Sequence, residues 1–307
     1  MAINYTVIIP HHNIPNLLRR CLKSIPQRTD VQVVVVDDCS DEQYKEDLRN
    51  VEIENPLITF VKCKQCGGGG KARNIGIEHA VGKYLIFADA DDFFNPCFEH
   101  VLDDYKNKEF DIAFFKGSSC DTDTYKLTHR ADHLNRYIDL YLSGKDAQGK
   151  KLRYLFGEPW CKIIKKRIVD ENNIKYDETL IHNDTTFGYL IGYYASSILV
   201  DNRELYCVTT RNGSVSKQAS DDRVLIRTRV YAKAERFFCD HAIKVKLNRH
   251  YDQLVQLLYH RKIRLFKNCV DILKDNNFSK LYIIRRMLSS FLMIICRQLF
   301  RTDLGIQ

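Results

Sequence analysis

The chain has 307 residues, of which 45% are hydrophobic, so it is long enough for one large domain or for one domain with an appendage. Its net charge of +8 is unevenly distributed: residues 223–307 contain 18 Lys and Arg against 6 Asp and Glu, whereas residues 1–222 contain 29 against 33. This distribution excludes a protein that is basic throughout, and it predicts a slightly acidic body followed by a strongly basic extension.

Eleven cysteines are scattered through the chain, and the sequence opens directly with a strand-like segment rather than a secretory signal. An odd number of cysteines in a long chain is typical of reduced thiols, so we expect a cytoplasmic protein. Cys63 and Cys66 form a single C-x-x-C. Without a second pair at matching spacing, this motif does not predict a zinc site.

The first part of the chain alternates strand-like and helix-like segments. Strands are expected at residues 5–9, 31–38, 57–61 and 83–88, and apolar residues at helical spacing separate them. The run VQVVVV is continuously apolar, as in a strand that is buried on both faces of a parallel sheet. This order predicts a doubly wound α/β sheet, in which ligands bind beyond the carboxyl ends of the strands.

Polar groups follow three of the predicted strands. They are PHHN at 10–13, DDCSD at 37–41 and DADD at 89–92, and the topology predicts that they converge at one edge of the sheet. The last group places three carboxylates within four positions. Such carboxylates repel each other and raise each other's pKa unless a cation lies among them. The alternative is a solvated acidic turn, because D-x-D alone is a common motif.

The later segments are less regular. From about residue 117 the pattern is looser, although 159–169 and 185–200 are apolar enough to pack on the sheet. From residue 223 onward the chain has a helical and basic pattern.

These motifs together resemble the family 2 glycosyltransferases of the GT-A fold. The resemblance rests on VIIPHHN, VVVVDDCSD and GGGGKARNIGIEHAVGKYLIFADADDF in this order, together with PWCKIIKKRIV and YDETLIHNDTTF. It implies an α/β, Rossmann-like GT-A fold, in which helices flank a mostly parallel sheet and a C-terminal helical extension follows. We therefore expect a catalytic domain at 1–222, with a donor half at about 1–116 and an acceptor half at about 117–222. A basic helical extension at 223–307 would follow it.

The resemblance also implies a reaction. A sugar would move with inversion from a nucleotide-sugar donor, with a UDP-sugar as the default, to a hydroxyl of a glycan or lipid-linked acceptor. Mn²⁺ or Mg²⁺ would assist, because a hard divalent cation neutralises the diphosphate as it leaves. Such a reaction suits the biosynthesis of a bacterial surface polysaccharide such as a capsule. The sugar, the linkage and the oligomeric state do not follow from the sequence.

By this resemblance, the ends of the first two strands would hold the nucleotide. Asp38 would accept a hydrogen bond from the base, and His12 stands where the family often has an aromatic residue that stacks on the base. The glycine-rich loop would approach the phosphates, because glycine allows close approach and a helix N-terminus favours anions. The expected donor-binding residues are Pro10, His12, Asn13, Asp38, Arg73, Asn74, Asp89 and Ala90.

The metal and the general base are assigned in the same way. Asp91 is the best candidate for a direct metal ligand, with Asp89 turned towards the ribose and the metal. Asp184 matches the position of the family's general base, where a carboxylate takes the proton of the acceptor hydroxyl. The family usually has an acidic residue before this position, whereas this chain has Asn183. His182 is a rival base because its ordinary pKa lies nearer neutrality, and otherwise it is a structural histidine.

Further residues are candidates for contacts with the acceptor or the diphosphate. Trp160, the single tryptophan, would lie under the sugar or the acceptor, or else pack in the core. Lys162 and Arg211 would bring positive charge to the diphosphate. The complete set is Asp92, Trp160, Lys162, His182, Arg211 and Ser214.

The basic extension ends in a segment that mixes apolar residues with arginines. Its apolar centre, residues 287–296, spans about ten residues, well short of the ~20 that cross a bilayer. The pattern suits a helix in the membrane interface, with arginines against anionic headgroups, on the inner face of the cytoplasmic membrane. A helix packed on the catalytic domain and a dimer contact are the alternatives. The extension lacks a recognisable nucleic-acid-binding motif, so we expect no nucleic acid partner.

Two other enzyme classes and a binding protein compete with this interpretation. A phosphohydrolase of the haloacid-dehalogenase type also has D-x-D after a strand, but there the motif follows the first strand, and here it follows the fourth. A sugar-1-phosphate nucleotidyltransferase has a long glycine-rich loop with Arg after the first strand, where this chain has PHHN. A non-catalytic binder of nucleotide sugars would not need both Asp91 and Asp184.

Overall fold

The structure is a computed structural model that describes residues 2–211 and 220–303, with side chains up to residue 296. The chain divides into two compact units. The first comprises Met1–Thr179 and Asn183–Lys217, and the second comprises Leu180–His182 and Gln218–Gln307. The described part of the first unit contains a mixed α/β sheet, whereas the described part of the second is helical.

The sheet of the first unit has eight strands among the described residues. They are β1 (Tyr5–His11), β2 (Val31–Asp37), β3 (Thr59–Lys62), β4 (Tyr84–Phe87), β5 (Phe93–Phe94), β6 (Ile112–Asp121), β7 (Lys162–Lys165) and β8 (Ile198–Thr210). Their order across the sheet is β3-β2-β1-β4-β7-β6-β8-β5. Strand β1 is parallel to β2 and β4, β2 is parallel to β3, and β6 is parallel to β8. The pairs β4–β7, β6–β7 and β5–β8 are antiparallel. The predicted α/β class is confirmed.

Helices connect these strands and form the second unit. The first unit contains α1 (Pro15–Lys23), α2 (Glu42–Glu54), α3 (Gly68–His79), α4 (Phe98–Tyr105), α5 (Asp132–Leu142), α6 (Lys150–Leu155), α7 (Lys166–Glu171) and α8 (Thr185–Tyr194). The second contains α9 (Asp221–Asp240), α10 (Arg249–Tyr259), α11 (Ile263–Asp275) and α12 (Lys280–Asp303). The four strands expected from the sequence are all present, and their ends differ by at most two residues from expectation.

The central strand β1 is buried on both faces, which explains why its sequence does not alternate between apolar and polar residues. Val7, Ile8 and Ile9 are fully buried, and burying each such side chain contributes about 1.5–3 kcal/mol. Gly76 of α3 lies directly against Ile8: a Cβ at this glycine would be 2.3 Å from Ile8 Cγ2. Helix α3 therefore packs unusually close to the strand, and this position sets the start of α3 near the strand ends.

The looser part of the sequence completes the sheet. Strand β6 begins before residue 117, so the expected division between a donor and an acceptor half falls within one strand. The apolar segment 185–200 contains α8 and the beginning of β8. Continuous apolar segments do not distinguish a buried helix from a buried strand, which is why the sequence pattern did not separate them.

The second unit has its own core and a buried polar cluster. Its apolar core includes Tyr251, Leu254, Cys269, Leu273 and Ile283. Beside this core, the carboxylate of Glu235 accepts hydrogen bonds from groups on α10 and α12, which are His250 Nε2 (3.0 Å), Tyr251 Oη (2.8 Å) and Tyr282 Oη (2.9 Å). Across the described ranges, no helix of either unit is long and apolar enough to span a membrane.

Candidate active site

The loops after β1 and β2 are joined by hydrogen bonds, so two of the three predicted polar groups meet. His11 Nδ1 donates to Asp37 Oδ1 at 2.9 Å, and Ser40 Oγ donates to the same oxygen at 2.5 Å. Asn13, with a φ of 58°, donates its main-chain N–H to Ser40 Oγ and exchanges two side-chain hydrogen bonds with Asp41. Asparagine tolerates this left-handed conformation better than most residues. Asn13 therefore positions the loop that follows Pro10.

His11 is a structural residue that the sequence analysis missed. It is buried, and its Nε2 accepts a hydrogen bond from Ile14 N at 3.2 Å while its Nδ1 contacts Asp37. Burial alone would raise the pKa of Asp37, but the hydrogen bonds from His11 and Ser40 lower it overall. Adjacent histidines in PHHN do not show from sequence which of them points inward.

Asp38 connects the end of β2 to the start of α3. Its two carboxylate oxygens accept the N–H groups of Gly67 (2.9 Å) and Gly68 (2.7 Å). The first N–H groups of a helix have no partner within it, and Gly68 has a φ of +75° that favours glycine. His12 is exposed, and its Nδ1 donates to the Asp38 carbonyl at 2.9 Å. Each carboxylate oxygen has a second lone pair, so Asp38 can also accept from a ligand.

The three carboxylates after β4 have different surroundings. Asp89 Oδ1 accepts a hydrogen bond from Arg73 at 2.5 Å. Asp92 is buried and accepts the Thr209 N–H at 2.7 Å. The side chain of Asp91 is 27% exposed, and its Oδ2 lies 3.1 Å from Arg211 Nε. Ala90, between them, is buried.

The charges of this turn are incompletely compensated by the protein. Burial raises the pKa of Asp91, and the charge of Asp89 raises it further despite Arg211. Burial also raises the pKa of Asp92 well above its ordinary value, with Asp91 and Asp89 adding to the effect. The turn is therefore partly buried, and Arg73 and Arg211 only partly compensate its three carboxylates. It is not the solvated acidic turn that was the alternative interpretation.

This environment suits a hard divalent cation, although the protein supplies few ligands for one. Among the described residues, no group of three or more His, Cys, Asp or Glu side chains is arranged to hold a metal ion. Asp92 is buried against the Thr209 main chain, whereas the side chains of Asp89 and Asp91 are 30% and 27% exposed, each beside an arginine. Mg²⁺ in phosphate-transfer sites commonly uses one or two carboxylates together with phosphate oxygens. The residues present fit a cation that is bound together with a diphosphate.

Arg73 connects the turn after β4 to the segment that contains Asp184. Its Nη2 contacts Asp89, its Nη1 donates to Asn183 Oδ1 at 3.1 Å, and its guanidinium lies 5.4 Å from the ring centre of Tyr176. Arg73 is 7% exposed. A single buried cation thus connects the acidic turn to the residue next to Asp184.

Helix α3 also holds this segment through its backbone. Asn74 donates to the Tyr176 carbonyl at 3.0 Å and accepts the Tyr176 N–H at 2.8 Å, so both polar atoms of its amide are engaged. A Cβ at Gly70 would be 2.1 Å from the Asp177 carbonyl oxygen, which requires glycine at this position. The Ala-Arg-Asn stretch therefore fixes the approach to Asp184.

Asp184 lies immediately before α8 and is partly buried. Its carboxylate makes no hydrogen bond to another side chain among the residues that the structure describes. Burial raises its pKa to about 6, and the nearby charge of Glu158 contributes to the rise, whereas Arg73 and Lys162 act in the opposite direction. A carboxylate with this pKa is ionised at neutral pH and still basic enough to accept a proton.

Glu158 is a second carboxylate at this site that the sequence analysis did not identify. Its Oε1 accepts a hydrogen bond from His133 Nε2 at 3.2 Å, and its Oε2 is buried without a hydrogen-bond partner. Burial tends to raise the pKa of Glu158, but the contact with His133 lowers it overall. The pKa values of Glu158 and Asp184 are thus shifted apart, as is common where one carboxylate must act as a base.

The structure places the remaining candidates in different settings. Trp160 is buried and stacks on Tyr206 at 6.0 Å between ring centres, and the Tyr206 hydroxyl accepts the Asp89 N–H at 2.8 Å. Trp160 therefore supports the acidic turn indirectly, by packing on the tyrosine that holds the Asp89 main chain. The Lys162 amine, which we expected at the diphosphate, is instead buried and donates to the carbonyls of Phe156 (2.6 Å) and Glu158.

His182 belongs to the second unit rather than to the site. Its Nε2 accepts a hydrogen bond from Arg227 Nε at 3.0 Å, and its ring packs edge-on against Tyr231. Because this lone pair of His182 is engaged, the structural role is favoured over that of a rival base.

Burial lowers the pKa of the Lys162 amine to about 8, which suits its position against carbonyls. Ser214 lies outside the described residues.

Together, the sheet order and the polar groups at the carboxyl ends of its strands define the GT-A fold of the glycosyltransferases. The sequence profile of glycosyl transferase family 2 matches residues 6–172, more than half of the chain. This protein belongs to glycosyl transferase family 2. The resemblance seen in the motifs is thereby confirmed.

Several known proteins are similar to this chain. The glycosyltransferase YibD of Escherichia coli (strain K12) is 25% identical over 266 residues, covering 84% of this chain and 75% of YibD. The glycosyltransferase GlyA of Streptococcus pneumoniae serotype 4 is 25% identical over 229 residues, which is 69% of this chain but 31% of GlyA. A structure of Staphylococcus aureus TarS 1–349 in complex with UDP-GlcNAc has a TM-score of 0.56 at 18% identity. That match covers 94% of this chain and 91% of TarS 1–349.

A second solved structure extends the likeness in fold. The mannosyltransferase PcManGT of Pyrobaculum calidifontis, in complex with GDP-Man and Mn²⁺, has a TM-score of 0.52 at 15% identity. The match covers 98% of this chain and 83% of PcManGT. At such low identities, the two structures show a shared fold.

Proposed function

We propose that this protein moves a sugar with inversion from a nucleotide-sugar donor to an acceptor hydroxyl, with the help of Mn²⁺ or Mg²⁺. Family membership supports the transferase class. The similar structures that contain UDP-GlcNAc and GDP-Man with Mn²⁺ support a nucleotide-sugar donor. A UDP-sugar is the default donor, and surface glycan synthesis is the proposed setting, since a relative of part of this chain is a poly(ribitol-phosphate) β-N-acetylglucosaminyltransferase.

The nucleotide would bind at the joined ends of β1 and β2. Asp38 has spare lone pairs beside Gly67 and Gly68, and it would accept a hydrogen bond from the base. The exposed imidazole of His12 would stack on the base, with Pro10 and Asn13 shaping the floor below it. The start of α3 would face the phosphates, because a helix N-terminus attracts anions.

The diphosphate would be held at the acidic turn. Asp91 is the proposed protein ligand of the cation, with Asp89 close to the ribose and the cation. When bound, the divalent cation would act as a Lewis acid that stabilises the leaving diphosphate. Arg211, now paired with Asp91, would turn its charge to the diphosphate once Asp91 is engaged by the cation.

Asp184 is the proposed general base. It would take the proton from the acceptor hydroxyl as that oxygen forms a bond to the anomeric carbon. The bond from the anomeric carbon to the diphosphate oxygen breaks, and its electron pair leaves with the nucleoside diphosphate. Attack opposite to the leaving group inverts the anomeric configuration. The raised pKa of about 6 suits this role at neutral pH.

The observation that carries the proposal is the double contact of Arg73. Arg73 donates hydrogen bonds to both Asp89 and Asn183, and this connection supports the proposal that the donor and the base would share one site. A phosphohydrolase would instead need its Asp nucleophile after the first strand, where this chain has His11 and His12. The alternative is a non-catalytic binder of nucleotide sugars, and the experiment below must distinguish it from a transferase.

The first experiment is a calorimetric titration of the full chain with UDP, GDP, CDP and dTDP in Mn²⁺, repeated in EDTA. We expect one nucleotide to bind with Mn²⁺ and to be released by EDTA. A nucleotide that binds without any turnover of its sugars would favour a non-catalytic binder. Failure of all four nucleotides to bind, with release of phosphate from a general phosphatase substrate, would overturn the transferase proposal.

The acceptor would be a glycan or a lipid-linked glycan. A lipid-linked acceptor would place the reaction at the inner face of the cytoplasmic membrane. Assay with nucleotide sugars of the base found by calorimetry, and with short-chain lipid diphosphate acceptors, tests this point. Equal transfer to free sugars and to lipid-linked sugars would argue against a membrane-bound acceptor.

A further inference from the structure

Helix α12 is held in one fixed rotation by polar contacts on its inner face. Arg286 donates to the Leu247 carbonyl at 2.8 Å and lies 3.0 Å from Glu235 Oε1. One turn later, Ser290 is 1% exposed and donates to Asp252. Rotating the helix would leave these buried polar groups without partners, which costs about 1–3 kcal/mol for each. The contacts of the inner face therefore determine which side chains lie on the outer face of α12.

That outer face is apolar although it is exposed. The side chains on it recur every three or four positions, so they form one stripe along the helix. They are 48–77% exposed and comprise Leu281, Ile284, Leu288, Phe291 and Leu292. An apolar stripe opposite a packed face is unusual for a helix that has only water beside it.

The stripe continues into a groove between α12 and α10. The groove has a volume of about 700 Å³, and its lining includes Leu258, Tyr259, Ile284, Leu288, Phe291 and Ile295. Tyr259, at the end of α10, is 82% exposed. An aromatic ring with a polar hydroxyl at the edge of an apolar surface is typical of side chains at a membrane interface.

Basic residues adjoin this apolar surface. Arg261, Lys262 and Arg264 lie shortly after the end of α10 and are exposed, and Lys262 is 3.5 Å from Asp221. Exposed Arg285 lies between Ile284 and Leu288 in sequence on α12. The extension from residue 223 contains 18 Lys and Arg against 6 Asp and Glu. The surface thus combines an apolar centre with a cationic border.

We propose that this face of the second unit, formed by the outer side of α12 and the end of α10, docks on the surface of an anionic phospholipid bilayer. The apolar stripe would enter the boundary between headgroups and acyl chains, and the arginines would contact the phosphates. Symmetric pairing of two copies would instead bring cationic borders together, so charge complementarity favours the bilayer over a second copy of the chain. The proposal does not depend on the transferase reaction.

The test is co-sedimentation of the full chain with vesicles of phosphatidylglycerol and phosphatidylcholine, compared with vesicles of phosphatidylcholine alone. We expect binding to the anionic vesicles that weakens as salt is raised. The double variant Leu288→Gln/Phe291→Gln should bind at least about tenfold more weakly, because two exposed apolar side chains no longer enter the lipid. Both positions are exposed, so the variant should fold.

A matched control is Ile53→Gln/Leu57→Gln, which replaces two exposed apolar residues of the first unit. This control should bind vesicles as well as the unaltered chain does. Absence of vesicle binding by the unaltered chain, or equal losses in both variants, would overturn the proposal. If the α12 variant changed the mass measured by light scattering and left vesicle binding intact, the face would be a contact between copies. Nucleotide binding, measured separately, reports on the transferase proposal.

Discussion

The two units each bury carboxylates, but the two groups differ in how the protein compensates their charge. In the second unit, Glu235 has hydrogen-bond donors on both oxygens and Arg286 beside it. Burial would raise the pKa of Glu235, yet the contacts with His250 and Arg286 lower it overall. In the first unit, burial and like charges raise the pKa of Asp91 and Asp92, even though Arg211 lies 3.1 Å from Asp91.

This difference separates a structural carboxylate from carboxylates that are available to a ligand. A fully paired buried charge fixes helices against one another, because removing one partner leaves the other buried and unpaired. Carboxylates with too few cations gain most when a cation arrives from solution. Burial alone would not distinguish the two groups, but their partners do.

The largest expected effect is the loss of turnover in Asp184→Asn. Removing a general base should lower kcat by about 10²–10⁴-fold, because the acceptor hydroxyl loses its proton acceptor. Nucleotide affinity in Mn²⁺ should be unchanged, which calorimetry checks alongside the turnover assay. If nucleotide binding were lost as well, Asp184 would be a binding residue rather than the base.

The next effect concerns stability and tests the paired cluster. Glu235→Gln should lower the free energy of unfolding by about 3–5 kcal/mol, because Arg286 becomes an unpaired buried charge. Asp92→Asn should change it by less than about 1 kcal/mol, since the amide oxygen can still accept the Thr209 N–H. Urea unfolding measures the free energy of unfolding of both variants.

A matched control for Glu235→Gln is Asp240→Asn at the end of the same helix. Asp240 is exposed and pairs with Arg236, so its loss should change the free energy of unfolding by less than about 0.5 kcal/mol. Similar losses of stability for Glu235→Gln and Asp92→Asn would contradict the distinction between the fully paired cluster and the only partly compensated acidic turn.

The third effect tests the cation at the acidic turn. Asp91→Asn should weaken the binding of a nucleoside diphosphate in Mn²⁺ by about two orders of magnitude, because the proposed carboxylate ligand of the cation is lost. In EDTA, where we expect no nucleotide binding, the variant and the unaltered chain should not differ. Asp123→Asn, an exposed carboxylate in the turn after β6, is the matched control and should behave like the unaltered chain. An Asp91→Asn variant with unchanged Mn²⁺ dependence would remove Asp91 from the metal site.

The smallest effect is a shift in pH dependence. As the proposed base, Asp184 would accept a proton only when ionised, so kcat/KM should fall as pH decreases through about 6. Glu158→Gln removes a negative neighbour that raises the pKa of Asp184. The midpoint should therefore move to lower pH, by less than about one pH unit. Glu171→Gln, which is exposed, should leave the profile unchanged, and an unshifted Glu158→Gln profile would show that the two carboxylates do not interact.

Local pattern predicted β1 to β4 because these strands are short, apolar and separated by segments with helical spacing. The strands that carry the polar groups, β1, β2 and β4, were all expected, and the joined loops after β1 and β2 follow from their parallel order. The pattern did not predict β6 or the antiparallel β7, since pairing direction depends on residues far along the chain. It also did not identify Glu158, which no motif marks.

The sequence by itself determined the first four strands, the polar groups at their ends, the family and the basic extension. These properties depend on residues that are close together in the chain, so the spacing of apolar residues and the distribution of charge in the sequence predict them directly. Only the tertiary structure decided which buried charges are paired, that Arg73 contacts both Asp89 and Asn183, and that Lys162 points to carbonyls. Arg73 and Asn183 are 110 positions apart, and such a contact is set by the packing of helices on the sheet rather than by local sequence.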